Sequence, residues 1–268
     1  MRERRGQIGG LELTWLEAPS GDRTPVLYLH GVPSDGDDFL PFLGRTGGLA
    51  PDLPGFGRSD KPAAFDYSID GYGRFLEAFV ADRALERFSL VLHDWGAVGL
   101  ALAQAMPERV ERLVLIDAVP FLPGYRWHRV ARIWRTPVLG ELFMGAARPR
   151  SARRLSRAAS GDGNPLPREM LDRNWSRFDH GTQRAILKLY RSAGSDVLAR
   201  AGARLGELRC PALVIWGERE AYLPPALAQR YADALGGPST VHVVEGGGHW
   251  PWVDVPEVVD HVAAFLSK

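Results

Sequence analysis

Cysteine is almost absent from this chain: the single Cys210 excludes an intrachain disulfide and leaves the fold to packing alone. Cys210 stands beside Pro211 at the head of the apolar run ALVIW, where a small buried thiol is expected. No apolar run approaches the roughly 18 residues of a membrane span, so a spanning helix is excluded. The basic opening MRERRGQIGG has no apolar stretch behind it and lacks the build of a secretory signal. Neither sign of charge dominates, with 33 Lys plus Arg against 32 Asp plus Glu and a net charge of +1. That balance removes any global attraction to nucleic acid or to an anionic membrane. A G-x-x-x-x-G-K-S/T loop is missing, and the glycine pairs at 55/57 and 71/73 make no G-x-G-x-x-G between strand and helix, so no nucleotide is expected. No His, Cys or Asp spacing resembles a closed metal site. These absences leave a reduced, cytoplasmic protein with no cofactor, no metal and no nucleic-acid or membrane partner.

What is present is an ordinary globular composition, 45% hydrophobic and 24% charged over 268 residues, enough for one large domain with an insertion. Charge is uneven along the chain. Residues 120–203 hold 16 Lys plus Arg against 6 Asp plus Glu. Runs such as RVARIWR and RPRSARRLSRA space their arginines as a helix would, so a solvated helix face is preferred over an anion-binding surface.

Strand-like and helix-like runs alternate, which predicts a mostly parallel sheet covered by helices, an α/β fold. LELTWLEA (11–18) alternates as an edge strand, and PVLYLHG (25–31) reads as a buried one. A short strand opens 47–62, and further strands are expected at 88–94, 112–119, 211–218 and 239–246. Helical periodicity covers about 70–86, 97–106, 224–235 and 256–267. Residues 120–203 break the rhythm: rich in arginine and tryptophan, they show no convincing strand and include the breaker-rich SGDGNPLP. They are expected to form a helical insertion, dividing the chain into a core of 1–119 and 204–268 and a cap of 120–203.

Three strand ends carry the reactive residues, in the order nucleophile, acid, histidine. Asp94 follows SLVLH at a sharp turn that runs straight into a helix, Glu220 lies in WGERE after ALVIW, and His249 lies in EGGGHW after TVHVV. In an open parallel sheet these loops fall together at the carboxyl ends of the strands. A strand, a tight elbow and a helix form the mount on which many hydrolases hold a serine. Here the tip is a carboxylate, which is ionised at neutral pH and can attack saturated carbon without first losing a proton. An aspartate capping a helix is the structural alternative.

The motifs HGVP (30–33), DLPGFGRSDKP (52–62), HDWGA (93–97), WGERE and GGGHW together resemble the α/β-hydrolase fold with a helical cap, in the branch of epoxide hydrolases and haloalkane dehalogenases. The resemblance implies an alkyl ester on Asp94, hydrolysed by water that His249 activates and Glu220 supports. It implies an oxyanion site made by the N–H groups of Val32 and Trp95, with His30 bracing the loop. The family usually has Asp where Glu220 stands, and some dehalogenases place the acid one strand earlier, at Asp117 here. His93, His128 and His180 receive no role.

The same resemblance bears on the substrate, a small apolar molecule that reacts with water. Epoxide hydrolases supply two cap tyrosines to the ring oxygen. LKLYRSA provides Tyr190, whereas RIWRTPVLGEL has Trp134 and no tyrosine, leaving Tyr125 as the nearest substitute. Dehalogenases usually carry a bulky residue two before the nucleophile, as Leu92 is, and FGRSDKP looks like theirs. A halide needs two N–H donors, Trp95 and one of Trp127, Trp134 or Trp175, because Val32 stands where many dehalogenases have asparagine. The expectation is an epoxide hydrolase, monomeric or homodimeric. Haloalkane dehalogenase is the alternative, and a non-catalytic small-molecule receptor on the same scaffold is a further one.

Overall fold

Runs in which nearly every residue is apolar can be buried on both faces, and four of them form the centre of the sheet. These are β3 (Val26–Leu29), β5 (Phe88–His93), β6 (Val110–Ile116) and β7 (Ala212–Gly217) in the computed structural model, which describes all 268 residues. Together with β1 (Arg2–Ile8), β2 (Leu11–Ala18), β4 (Gly48–Pro51) and β8 (Ser239–Val244) they make one eight-stranded sheet in the order β1-β2-β4-β3-β5-β6-β7-β8. All pairings from β4 to β8 are parallel, and those of β1 with β2 and β2 with β4 are antiparallel. The expected edge strand at 11–18 is β2, but it is not at the edge. Residues 2–8, unassigned from the sequence, pair with it through a turn in which Gly9 and Gly10 take φ of 59° and 82°. Exposed Arg2, Arg4 and Arg5 blunt this new edge.

The two faces of the sheet bury different helices because successive strand residues point in opposite directions. Leu90, Leu92, Leu113, Leu115, Val214 and Trp216 share one apolar cluster with α2 (Ile69–Asp82), α3 (Gly99–Ala105) and α10 (Ala226–Ala234). Val91, Val114, Ile116, Leu213 and Ile215 face α1 (Leu40–Thr46) and α12 (Glu257–Leu266), with the short α11 (Pro251–Asp254) leading into the latter. Cys210 is only half-buried and does not fill the core position expected of it, since it precedes β7 on a surface connection.

Between β6 and β7 the chain is entirely helical: α4 (Arg129–Arg135), α5 (Leu139–Gly145), α6 (Pro149–Ala159), α7 (Arg168–Ser176), α8 (His180–Ser192) and α9 (Ser195–Ala201). The arginines of α6 are exposed and make no ion pair, whereas two on α7 do. Arg173 reaches the buried Asp38 at 2.6 Å, and Arg177 pairs with Asp35 and, at 3.1 Å, with Asp37. The same acidic turn also receives Arg58 of the core at 2.7 Å from Asp37. This cluster ties the helical segment to the sheet.

Candidate active site

The elbow is built by close approach. After β5 the backbone enters the left-handed region at Asp94, φ 50°, and passes through one turn of 3-10 helix, Asp94–Val98, into α3. Such a φ is strained for any residue but glycine and lifts the side chain clear of the sheet. The neighbours must be small: a Cβ at Gly31 would lie 2.5 Å from Asp94 Cβ, and one at Gly96 would lie 1.9 Å from the Leu29 carbonyl oxygen. Val32 N–H donates to Asp94 Oδ1 at 2.9 Å, and the Trp95 N–H also supports this carboxylate. Burial raises the pKa of Asp94 against the opposing pull of His249 and the two N–H groups. With Oδ1 held, Oδ2 is the oxygen left facing outward, 3.7 Å from His249 Nε2. The carboxylate is therefore engaged by the loop after β3 and does not serve as a simple helix cap.

His249 turns its other nitrogen to Glu220, with Nδ1 to Oε2 at 2.6 Å. The second oxygen of Glu220 accepts the N–H groups of Leu223, at 2.9 Å, and Tyr222. These hydrogen bonds and His249 outweigh burial and hold the Glu220 pKa below its ordinary value. Burial works against a charge on His249, but Glu220 and then Asp94 overcome it and push its pKa up to about 9. Asp117 does not reach His249. Its Oδ1 accepts Gly217 N–H at 3.0 Å, its Oδ2 is buried without a partner, and burial together with Glu220 drives its pKa well up. Of the two acids offered by the sequence, the structure brings only Glu220 to the histidine.

Two histidines support the frame. His30 donates from Nδ1 to the Gly31 carbonyl at 2.8 Å and accepts Leu53 N–H at Nε2, 2.9 Å, tying the oxyanion loop to the loop after β4. His93, given no role from sequence, donates from Nε2 to the His249 carbonyl at 2.7 Å and so fixes the histidine loop. No sequence pattern signals this contact, because its partners lie 156 residues apart.

Above Asp94 and His249 lies a cavity of about 260 Å³, lined by 25 residues of which 18 are hydrophobic. Val32, Trp134, Trp175 and Tyr190 line it, while Tyr125, Trp95 and Trp127 do not. Trp127 is spent: its indole N–H donates to the Ala193 carbonyl at 2.8 Å. The indole nitrogens of Trp95 and Trp134 are buried without partners, and both rings pack edge-on against Tyr190, with centroids at 5.1 and 4.9 Å. The Trp95 N–H faces the Tyr190 hydroxyl, whose own proton goes to no protein acceptor. Burial and the Asp94 charge hold that proton firmly, with the Tyr190 pKa well above normal despite Trp95. Tyr125 is buried with its hydroxyl unpartnered and outside the cavity lining, so it does not fill the place of a second tyrosine.

His128 is the cavity residue that sequence reasoning missed. As N-cap of α4 it accepts Ala131 N–H at Nδ1, 3.4 Å, which leaves its proton on Nε2. Burial, then His249, lower its pKa to about 4, so the ring is neutral. Its one sequence signal is its place directly ahead of the helical run RVARIWR.

Residues 26–262 match the Alpha/beta hydrolase family. The chain is 27% identical over 266 aligned residues to a haloalkane dehalogenase of Bradyrhizobium diazoefficiens, covering 87% of this chain and 83% of that one. It superposes on the solved haloalkane dehalogenase DbeA from Bradyrhizobium elkani with a TM-score of 0.85 at 24% identity, over 99% and 97% of the two chains. On the solved epoxide hydrolase CorEH the TM-score is 0.83 at 20% identity, over 99% and 98%. Identities this low in the two structures carry the fold and no more.

Proposed function

The chain belongs to the alpha/beta hydrolase family, and from that membership and the geometry of the cavity we propose that it hydrolyses epoxides to vicinal diols through an ester on Asp94. The supporting observation is Tyr190, a tyrosine that keeps its proton, lines the same cavity as Asp94 and donates to nothing in the protein. Asp94 Oδ2 attacks a ring carbon, the carbon–oxygen bond breaks, and the departing alkoxide takes the Tyr190 proton. The neutral His128, with its proton on Nε2, offers the second hydrogen bond to that oxygen in place of the absent first tyrosine.

Esterification removes the Asp94 charge and so lowers the proton affinity of His249, which passes the proton it held to the Tyr190 phenolate and, now neutral, takes a proton from water. Hydroxide adds to the Asp94 carbonyl carbon, and the N–H groups of Val32 and Trp95 receive the oxyanion. Breaking the ester releases the diol as its alkoxide, which takes the proton of the restored Asp94 carboxyl, and leaves His249 charged beside the Asp94 carboxylate, as at the start. Residues 120–203 act as the cap that excludes bulk water from these steps.

A second reading has its own support. Curated relatives carry the name haloalkane dehalogenase, and Trp95 and Trp134 hold two unpartnered indole N–H groups beside the cavity, as a leaving halide would require. One variant separates the two. Tyr190→Phe is expected to lose epoxide opening by ~10²-fold or more, the scale of general acid catalysis, when diol formation is followed. A variant that opens epoxides normally, with wild-type bromide release from bromoalkanes, moves the assignment to the dehalogenase. For either substrate, His249→Gln should accumulate a protein–substrate adduct by intact mass, and Asp94→Asn should form none.

A further inference from the structure

Beside the reaction cavity, a second hollow of about 540 Å³ opens between α6 and α7. The two adjoin, with Ala152, Leu166, Leu171 and Trp175 lining both. Their chemistry differs sharply. The inner cavity is apolar, whereas the outer groove presents Arg150, Arg153 and Arg168.

These arginines stand where a helix disfavours them. Arg150 lies in the first turn of α6, behind Pro149, and Arg153 follows three residues on, on the same face. The first turn of α6 holds no acid, and neither guanidinium has an ion-pair or hydrogen-bond partner. Arg168 opens α7 ahead of Glu169 and pairs with the exposed Asp172, at 3.3 Å. The amino end of a helix already carries positive potential, so added cations there are unfavourable unless an anion joins them. Two helix starts and three guanidinium groups, against the single carboxylate of Asp172, thus line one groove beside an apolar cavity that contains Asp94.

We propose that this groove holds the carboxylate of an amphiphilic substrate, whose hydrocarbon chain runs through the shared wall into the inner cavity and brings its reactive carbon to Asp94. The substrate class is then an epoxidised, or halogenated, medium-chain carboxylic acid, not a neutral hydrocarbon. The chemistry in this inference rests on the covalent reading given above, but the binding does not.

Binding is tested first, without turnover. Tryptophan fluorescence titrations with decanoate and with decanol should show decanoate about tenfold tighter, the worth of one or two exposed charge-assisted contacts. That ratio should shrink in high salt and fall towards one in the triple variant Arg150→Gln, Arg153→Gln, Arg168→Gln, while the corresponding triple lysine variant keeps most of it. Equal affinities, or a preference that survives the glutamine substitutions, overturn the proposal. Turnover then separates it from the covalent mechanism. A terminal epoxide and a terminal bromide of decanoate are each compared with the matching alcohol by kcat/KM. An acid preference that disappears in the glutamine variant supports the groove. Turnover of both members at equal kcat/KM sinks the groove alone. No turnover and no adduct from any of them, with decanoate binding still dependent on the arginines, sinks the covalent mechanism and leaves the groove standing.

Discussion

Glu220 and Asp117 are both buried carboxyls at the ends of neighbouring strands, yet they are built for opposite charge states. Glu220 receives two backbone N–H groups and the His249 ring, all of which stabilise a carboxylate. Asp117 receives one N–H, and burial next to Glu220 pushes its pKa well above the ordinary carboxylate value. Glu220→Gln should therefore lower steady-state turnover by ~10²-fold or more, whereas Asp117→Asn, which mimics the neutral acid, should leave it nearly unchanged. The reverse ranking in the same assay would transfer the role to Asp117. Sequence alone offered both, because an acid after a strand looks the same whichever way it turns. Asp94 was far more legible: a sharp polar turn between a buried strand and a helix leaves few places for its side chain.

Among the elements, α6 has a part that its arginine-rich sequence does not suggest. Its last carbonyl, at Ala159, accepts His249 N–H at 2.7 Å. Just beyond it, Asp254 of α11 fastens the junction: Oδ2 accepts Gly161 N–H at 3.0 Å and Gly248 N–H at 2.8 Å, and Oδ1 accepts the Ser160 hydroxyl at 2.9 Å. A Cβ on Gly161 would meet the Gly246 carbonyl oxygen at 1.7 Å, so the two segments touch backbone to backbone. Asp254→Ala strands these donors and should cost about 2 kcal/mol by urea unfolding. It should also lower kcat more than it changes KM, because His249 loses its anchorage. A stability loss with kcat intact would mean the junction is only structural. Helix existence was readable from periodicity, but this docking was not, since it joins backbone groups that leave no pattern in side chains.

Over the whole molecule there are two charge clusters, the first across the join between sheet and helical segment and the second at the carboxyl ends of the core strands. One pairs Asp35, Asp37 and Asp38 with Arg173 and Arg177. The other is Glu220, His249 and Asp94, and it makes stability depend on pH. His249 moves from an ordinary 6.5 to about 9 on folding, so the native state holds its proton more tightly than the unfolded chain does. Its contribution is fully present below pH 6.5 and is lost as pH rises through about 9. The stability difference between wild type and His249→Gln should accordingly shrink over that interval in denaturant titrations. A difference that stays flat would show that the folded protein does not hold a charged His249.

Most of the strands, the elbow, the helical insertion and the candidacy of Asp94, Glu220 and His249 were legible in the sequence itself. Each rests on neighbours along the chain, an apolar run or a polar turn, and local sterics act on neighbours. Tertiary structure alone decided which acid faces His249, which tryptophan N–H groups are spent, that His128 turns into the cavity, and that three arginines line the groove beside it. Those outcomes depend on the direction of side chains carried to one place from distant segments, and direction exists only once the helices have packed on the sheet.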